Sequence, residues 1–253
     1  INFINTMGLI KTITKILTTP YRIIKKRIYQ KNKKLIFNQD TSEKRFDLIY
    51  KTNFWSSNES VSGYGSELKN TINIEKEIIN IIKKYQIKSI LDAPCGDFNW
   101  VKNILDKELS YIGGDIVQEI IDNNIRKFKS NNIKFIKLDI TDESLPDSDL
   151  MICRDCLIHL SFQSIKLFFE NFRKSNINYL LLTTYKMKDT TKEIDNLDIP
   201  DGEYREIDLS KPPFYLPKPL EEILDKEEFN KNSGFNCYLN LYTKNQIQNL
   251  KIK

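Results

Sequence analysis

The feature that most constrains this chain is a succession of short apolar runs, Ser89–Ala93, Tyr111–Gly114, Ile133–Leu138, Leu150–Cys153 and Tyr179–Thr184, with helical spacing between them at 98–107, 116–129 and 161–174. Apolar runs of this length without polar alternation suit parallel strands covered on both faces. Repeated βα units then imply an α/β fold, a doubly wound and mostly parallel sheet with right-handed crossovers. Ligands of such sheets bind beyond the carboxyl ends of the strands. A helical period over Ile72–Tyr85 precedes the first strand. Phe235–Thr243 alternates as a strand does and predicts an antiparallel C-terminal edge strand.

A chain of 253 residues accommodates one large core with an extension. The pattern divides it into a basic amphipathic arm over 1–39, a lid over 40–71, and a core over 72–253 whose tail loop at about 195–220 is punctuated by prolines. Residues 1–39 hold nine Lys or Arg and no acid, which leaves 30 basic against 34 acidic residues in the rest. A basic arm on a mildly acidic body suggests attraction of the arm to an anionic surface, membrane headgroups or nucleic acid, while the body itself gives no reason to expect nucleic acid. Within the arm, Leu9, Ile10, Ile13, Ile16, Leu17, Ile23, Ile24 and Ile28 recur among the basic residues, with a break at Pro20. Residues 9–34 can therefore lie on an anionic membrane surface, or pack against a partner. No apolar run approaches the roughly 20 residues of a membrane-spanning helix. Cys95, Cys153, Cys156 and Cys237, without a secretory pattern, point to the cytoplasm. The lone CxxC lacks the second ligand pair of a structural zinc site.

The chemistry concentrates at strand ends. Ile90-Leu-Asp92-Ala93-Pro94-Cys95-Gly96-Asp97-Phe98-Asn-Trp100 follows a strand with a carboxylate and then a turn containing glycine, where backbone can approach a nucleoside-bearing ligand. Asp115 ends the next strand nineteen residues after Gly96, where a carboxylate can accept from both hydroxyls of a ribose. Asp139 ends the third strand, beside Ile140, in reach of an adenine amino group. Each acid alone reads equally well as a turn or cap residue; three at successive strand ends form a constellation.

These segments, together with Ile152-Cys-Arg154-Asp155-Cys-Leu-Ile-His159-Leu, resemble the motifs of class I S-adenosylmethionine-dependent methyltransferases across roughly residues 72–185. The resemblance implies a Rossmann-like methyltransferase sheet and S-adenosyl-L-methionine as cofactor. It assigns the cofactor to Trp55, Gly63, Ser66, Asp92, Ala93, Pro94, Cys95, Gly96, Asp97, Trp100, Asp115, Asp139, Ile140 and Arg154. Only Gly96 of the usual glycine-rich turn is kept, with Pro94 and Phe98 at the other glycine positions, so the methionine moiety must be held differently. A narrower resemblance rests on Trp55, Glu59-Ser60, Ser62-Gly63, Gly65-Ser66, Arg154-Asp155, His159-Leu-Ser161 and the tail Pro213-Phe214 with Leu216-Pro217. It is to methyltransferases found among the glycan-building enzymes of bacteria and large DNA viruses, and implies O-methylation of a rhamnose-type sugar or glycan acceptor.

Methyl transfer to a hydroxyl needs positioning and a base. His159, the one histidine, and Asp155 four residues earlier are the candidate pair, with Asp155 orienting or accepting and His159 abstracting the proton. The alternative for His159 is a packing role beside the cofactor. Arg154 can bind cofactor or substrate, or satisfy carbonyls at its strand end. A divalent metal on Asp139, Asp142 or Asp155 is conceivable, yet no spacing demands one. The GxGxxG turn of dinucleotide enzymes is missing, and the Asn/Asp-Pro-Pro-aromatic segment of DNA amino-methyltransferases does not stand after the fourth strand. Methylation of a small metabolite or protein group, and a non-catalytic scaffold docked at a membrane or glycan-assembly complex, remain the other readings.

Overall fold

The computed structural model describes residues 22–192, 195–225 and 233–250. The chain divides into two compact units, Ile1–Phe54 and Trp55–Lys253. Of the predicted arm, residues 1–21, and with them the break at Pro20, lie outside the described residues.

In the first unit, helix α1 is in place over 22–37 and α2 spans Ser42–Lys51. Thr41 caps α2, its hydroxyl accepting from the Lys44 amide at 3.3 Å. Tyr29 stacks on Phe54 at 4.9 Å, and Ile36 and Ile49 are buried. The segment expected as a lid over 40–71 is thus divided between a helix in the first unit and residues 55–71 in the second.

The second unit holds a seven-stranded sheet: β1 (Ser89–Asp92), β2 (Ser110–Asp115), β3 (Ile133–Lys137), β4 (Leu150–Cys153), β5 (Tyr179–Met187), β6 (Glu221–Asp225) and β7 (Phe235–Thr243). Their order is β3-β2-β1-β4-β5-β7-β6, parallel from β3 to β5 and antiparallel at β5–β7 and β7–β6. The expected closing strand pairs antiparallel with β5 along its whole length. Beyond it, β6 takes the outer position, a strand the tail's sequence did not predict. Because strand order reverses between β1 and β4, their carboxyl ends open the crevice where such sheets bind ligands.

Helices α3 (Ile72–Lys84), α4 (Gln118–Phe128) and α5 (Phe162–Lys174) fall within two residues of their predicted bounds, and a short α6 (Lys244–Gln248) follows β7. Each long helix buries one apolar stripe: Ile74, Ile78 and Ile81 on α3, Ile120 and Ile121 on α4, Ile165, Phe168, Phe169 and Phe172 on α5. Burial at about 1.5–3 kcal/mol per large aliphatic or aromatic side chain is what holds these helices to the sheet. The segment 98–107, expected to be helical, instead makes one 3-10 turn at Val101–Ile104. Phe98, at φ 59°, leaves helical geometry, and its ring packs against Tyr111, Phe128 and Phe135 at 5.0 to 5.2 Å. Among the described residues no helix is long and apolar enough to cross a membrane.

Candidate active site

The turn after β1 is fixed from three directions. Asp115, at the end of β2, accepts from the amides of Gly96 at 3.1 Å and Val117 at 3.0 Å. Asn124 of α4, itself buried, donates to the Gly96 carbonyl at 2.7 Å. The Cys95 amide donates to the Gly114 carbonyl at 2.8 Å. Gly96 sits at φ 52°, a conformation that strains a side-chain-bearing residue, and a Cβ there would stand 1.9 Å from Ser62 Oγ and 3.1 Å from Ser62 Cβ, so a larger residue would displace the segment laid over it.

Burial governs the acids of this turn. Asp92 is pushed up to about 7 by desolvation, against the Tyr111 hydroxyl that donates to it at 2.7 Å. Asp115 is raised to about 6, burial outweighing the amides that stabilise its charge. Burial likewise lifts the Cys95 thiol. Asp139 is partly exposed and accepts from both the amide and the hydroxyl of Thr141, at 2.9 and 2.6 Å. Ile140 beside it is buried, its carbonyl bonded by Asn171 at 2.9 Å.

Residues 55–71 are tied to the same turn. Asp97 accepts from Ser60 Oγ at 2.8 Å and the Val61 amide at 3.0 Å. Glu59 accepts from the Leu68 amide at 2.7 Å and Asn99 at 2.9 Å, while Asn99 also donates to the Ser66 carbonyl at 3.0 Å. Gly63 and Ser66, both buried, belong to this tied segment.

At the end of β4, Arg154 is directed into the protein. Its Nε and Nη2 donate to both oxygens of Asp225 on β6 at 2.9 and 3.2 Å, and Nη2 also donates to the Gly65 carbonyl at 2.9 Å. The guanidinium lies over the buried Trp100 ring at 5.4 Å. Burial works against its charge, but Asp225 and then Asp155 more than offset this and hold it protonated. These bonds run to a carboxylate on β6 and a carbonyl of the 55–71 segment rather than to carbonyls at its own strand end. Asp155, Asp225 and Cys237 bring ligand atoms within 4.8 Å of one another, a possible metal group; the Arg154 guanidinium, bonded to Asp225 and 3.5 Å from Asp155, supplies the positive charge there. Asp139 and Asp142 enter no such group among the described residues. Cys153 and Cys156 are buried free thiols.

Asp155 stands at φ 53°, its amide donating to Thr183 Oγ1 at 2.9 Å. His159, in a 3-10 turn over Leu157–His159, is held by the tail loop: its Nδ1 lies 2.7 Å from the Glu203 carbonyl, and the Gly202 amide donates to its own carbonyl at 2.7 Å. A carbonyl can only accept, so Nδ1 carries a proton, and in the neutral tautomer the lone pair is the one on Nε2. The ring stacks on Trp55 at 4.9 Å and faces Tyr204 at 5.8 Å, forming a Trp55–His159–Tyr204 series. Tyr204 is 46% exposed; burial of its hydroxyl end raises its pKa, with Glu206 and Asp155 adding to the effect. Glu203, Tyr204 and Asp225 were not singled out in the sequence, since nothing local marks a residue whose partner lies 44 or 71 positions away.

The tail loop also caps α5. Asp201 accepts from the Ser161 amide at 2.6 Å and Ser164 Oγ at 2.8 Å, and Asp198 accepts from the Phe162 amide at 2.7 Å. Arg205 is buried beneath it, donating from Nη1 to the carbonyls of Leu157 and Ile158, and desolvation lowers its pKa to about 10. An open cleft of about 430 Å³, lined among others by Phe162, Gln163, Lys166 and Asn196, begins three residues beyond His159.

No family model matches the sequence, and no curated protein matches it. Solved structures do share the fold. The methyltransferase domain of bacterial CtHen1-C superposes with a TM-score of 0.51 at 14% identity, over 70% of this chain and 98% of its own. PigF, solved with SAH, gives 0.54 at 13% identity, over 85% of this chain and 67% of its own. At such identities the likeness establishes the architecture, which is the Rossmann-like sheet of methyltransferases with its antiparallel β5-β7-β6 edge.

Proposed function

We propose that this protein is an S-adenosylmethionine-dependent O-methyltransferase that acts on a sugar hydroxyl of a glycan or nucleotide sugar. The observation that carries the reading is the fixed tautomer of His159 between two aromatic rings, on the carboxyl side of a methyltransferase sheet.

The cofactor assignment is supported by the strand-end acids. Asp115 is a buried carboxylate that accepts from the Gly96 and Val117 amides, with the Ile116 amide also turned to it, and it keeps acceptor capacity for a ribose hydroxyl. Asp139 and Ile140 border the adenine side, and the turn Asp92 to Asp97 the methionine side. S-adenosylmethionine, when bound, supplies a methyl group on a sulfonium centre for in-line displacement. What the chain itself contributes is a base and a platform. The Glu203 carbonyl holds His159 so that Nε2 takes the hydroxyl proton, and Asp155 stabilises positive charge in the same region. Flat aromatic faces such as Trp55 and Tyr204 suit the apolar face of a pyranose, and the cleft beside Phe162 gives a longer acceptor somewhere to run.

Calorimetric titration with S-adenosylmethionine and S-adenosylhomocysteine tests the first half. Micromolar binding that Asp115→Ala abolishes is expected; a folded protein that binds neither compound ends the proposal and leaves the scaffold reading. For the second half, turnover of rhamnose-type acceptors is followed as S-adenosylhomocysteine release. His159→Ala should lower kcat by about two orders of magnitude while sparing cofactor affinity, and unchanged turnover removes His159 from the mechanism.

A further inference from the structure

Helix α1 is apolar on two sides. On one, Ile36 is fully buried and Tyr29, 45% exposed, stacks on Phe54. Ile24, Ile28 and Leu35 lie on another, and remain 55%, 53% and 45% exposed. At 3.6 residues per turn these three project within about 40° of one another, and roughly 100° away from the fully buried Ile36. They form a single stripe about 16 Å long on a helix of some 24 Å.

The charge around the stripe has one sign. Residues 22–37 contain Arg22, Lys25, Lys26, Arg27, Lys31, Lys33 and Lys34, and no acid. Arg27 and Lys31 flank the stripe on one side and Lys25 on the other, so aliphatic side chains are bracketed by cations with long apolar stems.

We propose that α1 docks the protein on an anionic lipid surface, with Ile24, Ile28 and Leu35 at the headgroup–acyl boundary and the flanking Lys and Arg on lipid phosphates. A bilayer interface is the partner that takes both features at once. A nucleic-acid backbone would engage the cations and leave three half-exposed aliphatic side chains in water. The inference rests on α1 alone and stands whether or not the methyl-transfer reading does.

The test uses the full chain, floated with vesicles of equal parts phosphatidylglycerol and phosphatidylcholine and with vesicles of phosphatidylcholine alone. Binding is expected only to the anionic vesicles and should weaken as salt is raised. The pair Ile24→Ser and Ile28→Ser keeps every charge, and should lower vesicle affinity by roughly tenfold or more. The pair Arg27→Gln and Lys31→Gln keeps the aliphatic stripe and should lower it by about tenfold as well. All four side chains stand on a helix surface, and unchanged melting temperatures will show that the fold survives. Failure to float with anionic vesicles overturns the proposal. So does flotation that the serine pair leaves untouched, and retention on a single-stranded oligonucleotide insensitive to that pair would reassign the helix to nucleic acid.

Discussion

At the scale of single residues, the turn after β1 replaces backbone freedom with side-chain anchoring. Phe98 adopts the positive φ expected of a glycine and repays that strain by burying its ring among Tyr111, Phe128 and Phe135. Asp92, next to this cluster, titrates at about 7 because burial outweighs the Tyr111 hydrogen bond, whereas an unfolded Asp titrates near 3.9. Between those values the folded state binds more protons than the unfolded one, so this residue's contribution to stability falls as pH rises from about 4 to about 7 and is flat above. Asp92→Asn keeps an acceptor for Tyr111 without the buried charge. Its melting temperature should exceed that of the parent at pH 8, by an amount corresponding to at most about 4 kcal/mol, and the two should converge near pH 4; a variant less stable at pH 8 would show that the charge is compensated. The strand-end acids were legible in the sequence because their spacing repeats with the βα units. Their environment was not: the Tyr111 that faces Asp92 and the Glu203 carbonyl that faces His159 come from other elements, and spacing along the chain carries no information about them.

At the scale of elements, residues 55–71 hold almost no regular structure beyond two 3-10 turns, Tyr64–Ser66 and Leu68–Asn70, and are ordered by a few carboxylates. Asp97 is the tie that joins them most directly to the turn after β1, accepting from Ser60 and Val61. Asp97→Ala removes a charged acceptor from a hydroxyl and an amide, a loss of about 1–3 kcal/mol confined to this segment. Hydrogen exchange over residues 57–68 should quicken by one to two orders of magnitude while β1 to β5 keep their protection. Equal exchange in parent and variant would mean that Glu59 and Asn99 suffice. The elements visible in the sequence were those with a continuous apolar run or a regular apolar period, and Leu150–Cys153 and Phe235–Thr243 coincide with their predicted bounds. Glu221–Asp225 escaped notice because an outer strand needs only one neighbour and tolerates acids: three of its five residues are Asp or Glu. Its Asp225, fully buried, nonetheless anchors Arg154.

At the scale of the whole molecule, the division after Phe54 separates two kinds of structure. All seven strands, the acids at their ends, Trp55, His159 and the tail loop lie within Trp55–Lys253, and the basic helix with its exposed aliphatic stripe lies within Ile1–Phe54. A sheet carrying its own covering helices has the apolar core a domain of about 200 residues requires. Residues 55–253 expressed alone should therefore fold cooperatively and bind S-adenosylmethionine within about twofold of the full chain's affinity, while losing the capacity to float with anionic vesicles. Circular dichroism, calorimetry and flotation on the same preparation read the three properties separately. If the shorter chain folds but no longer binds the cofactor, the first unit contributes to the site; if it still floats, the membrane contact belongs to the core and not to α1.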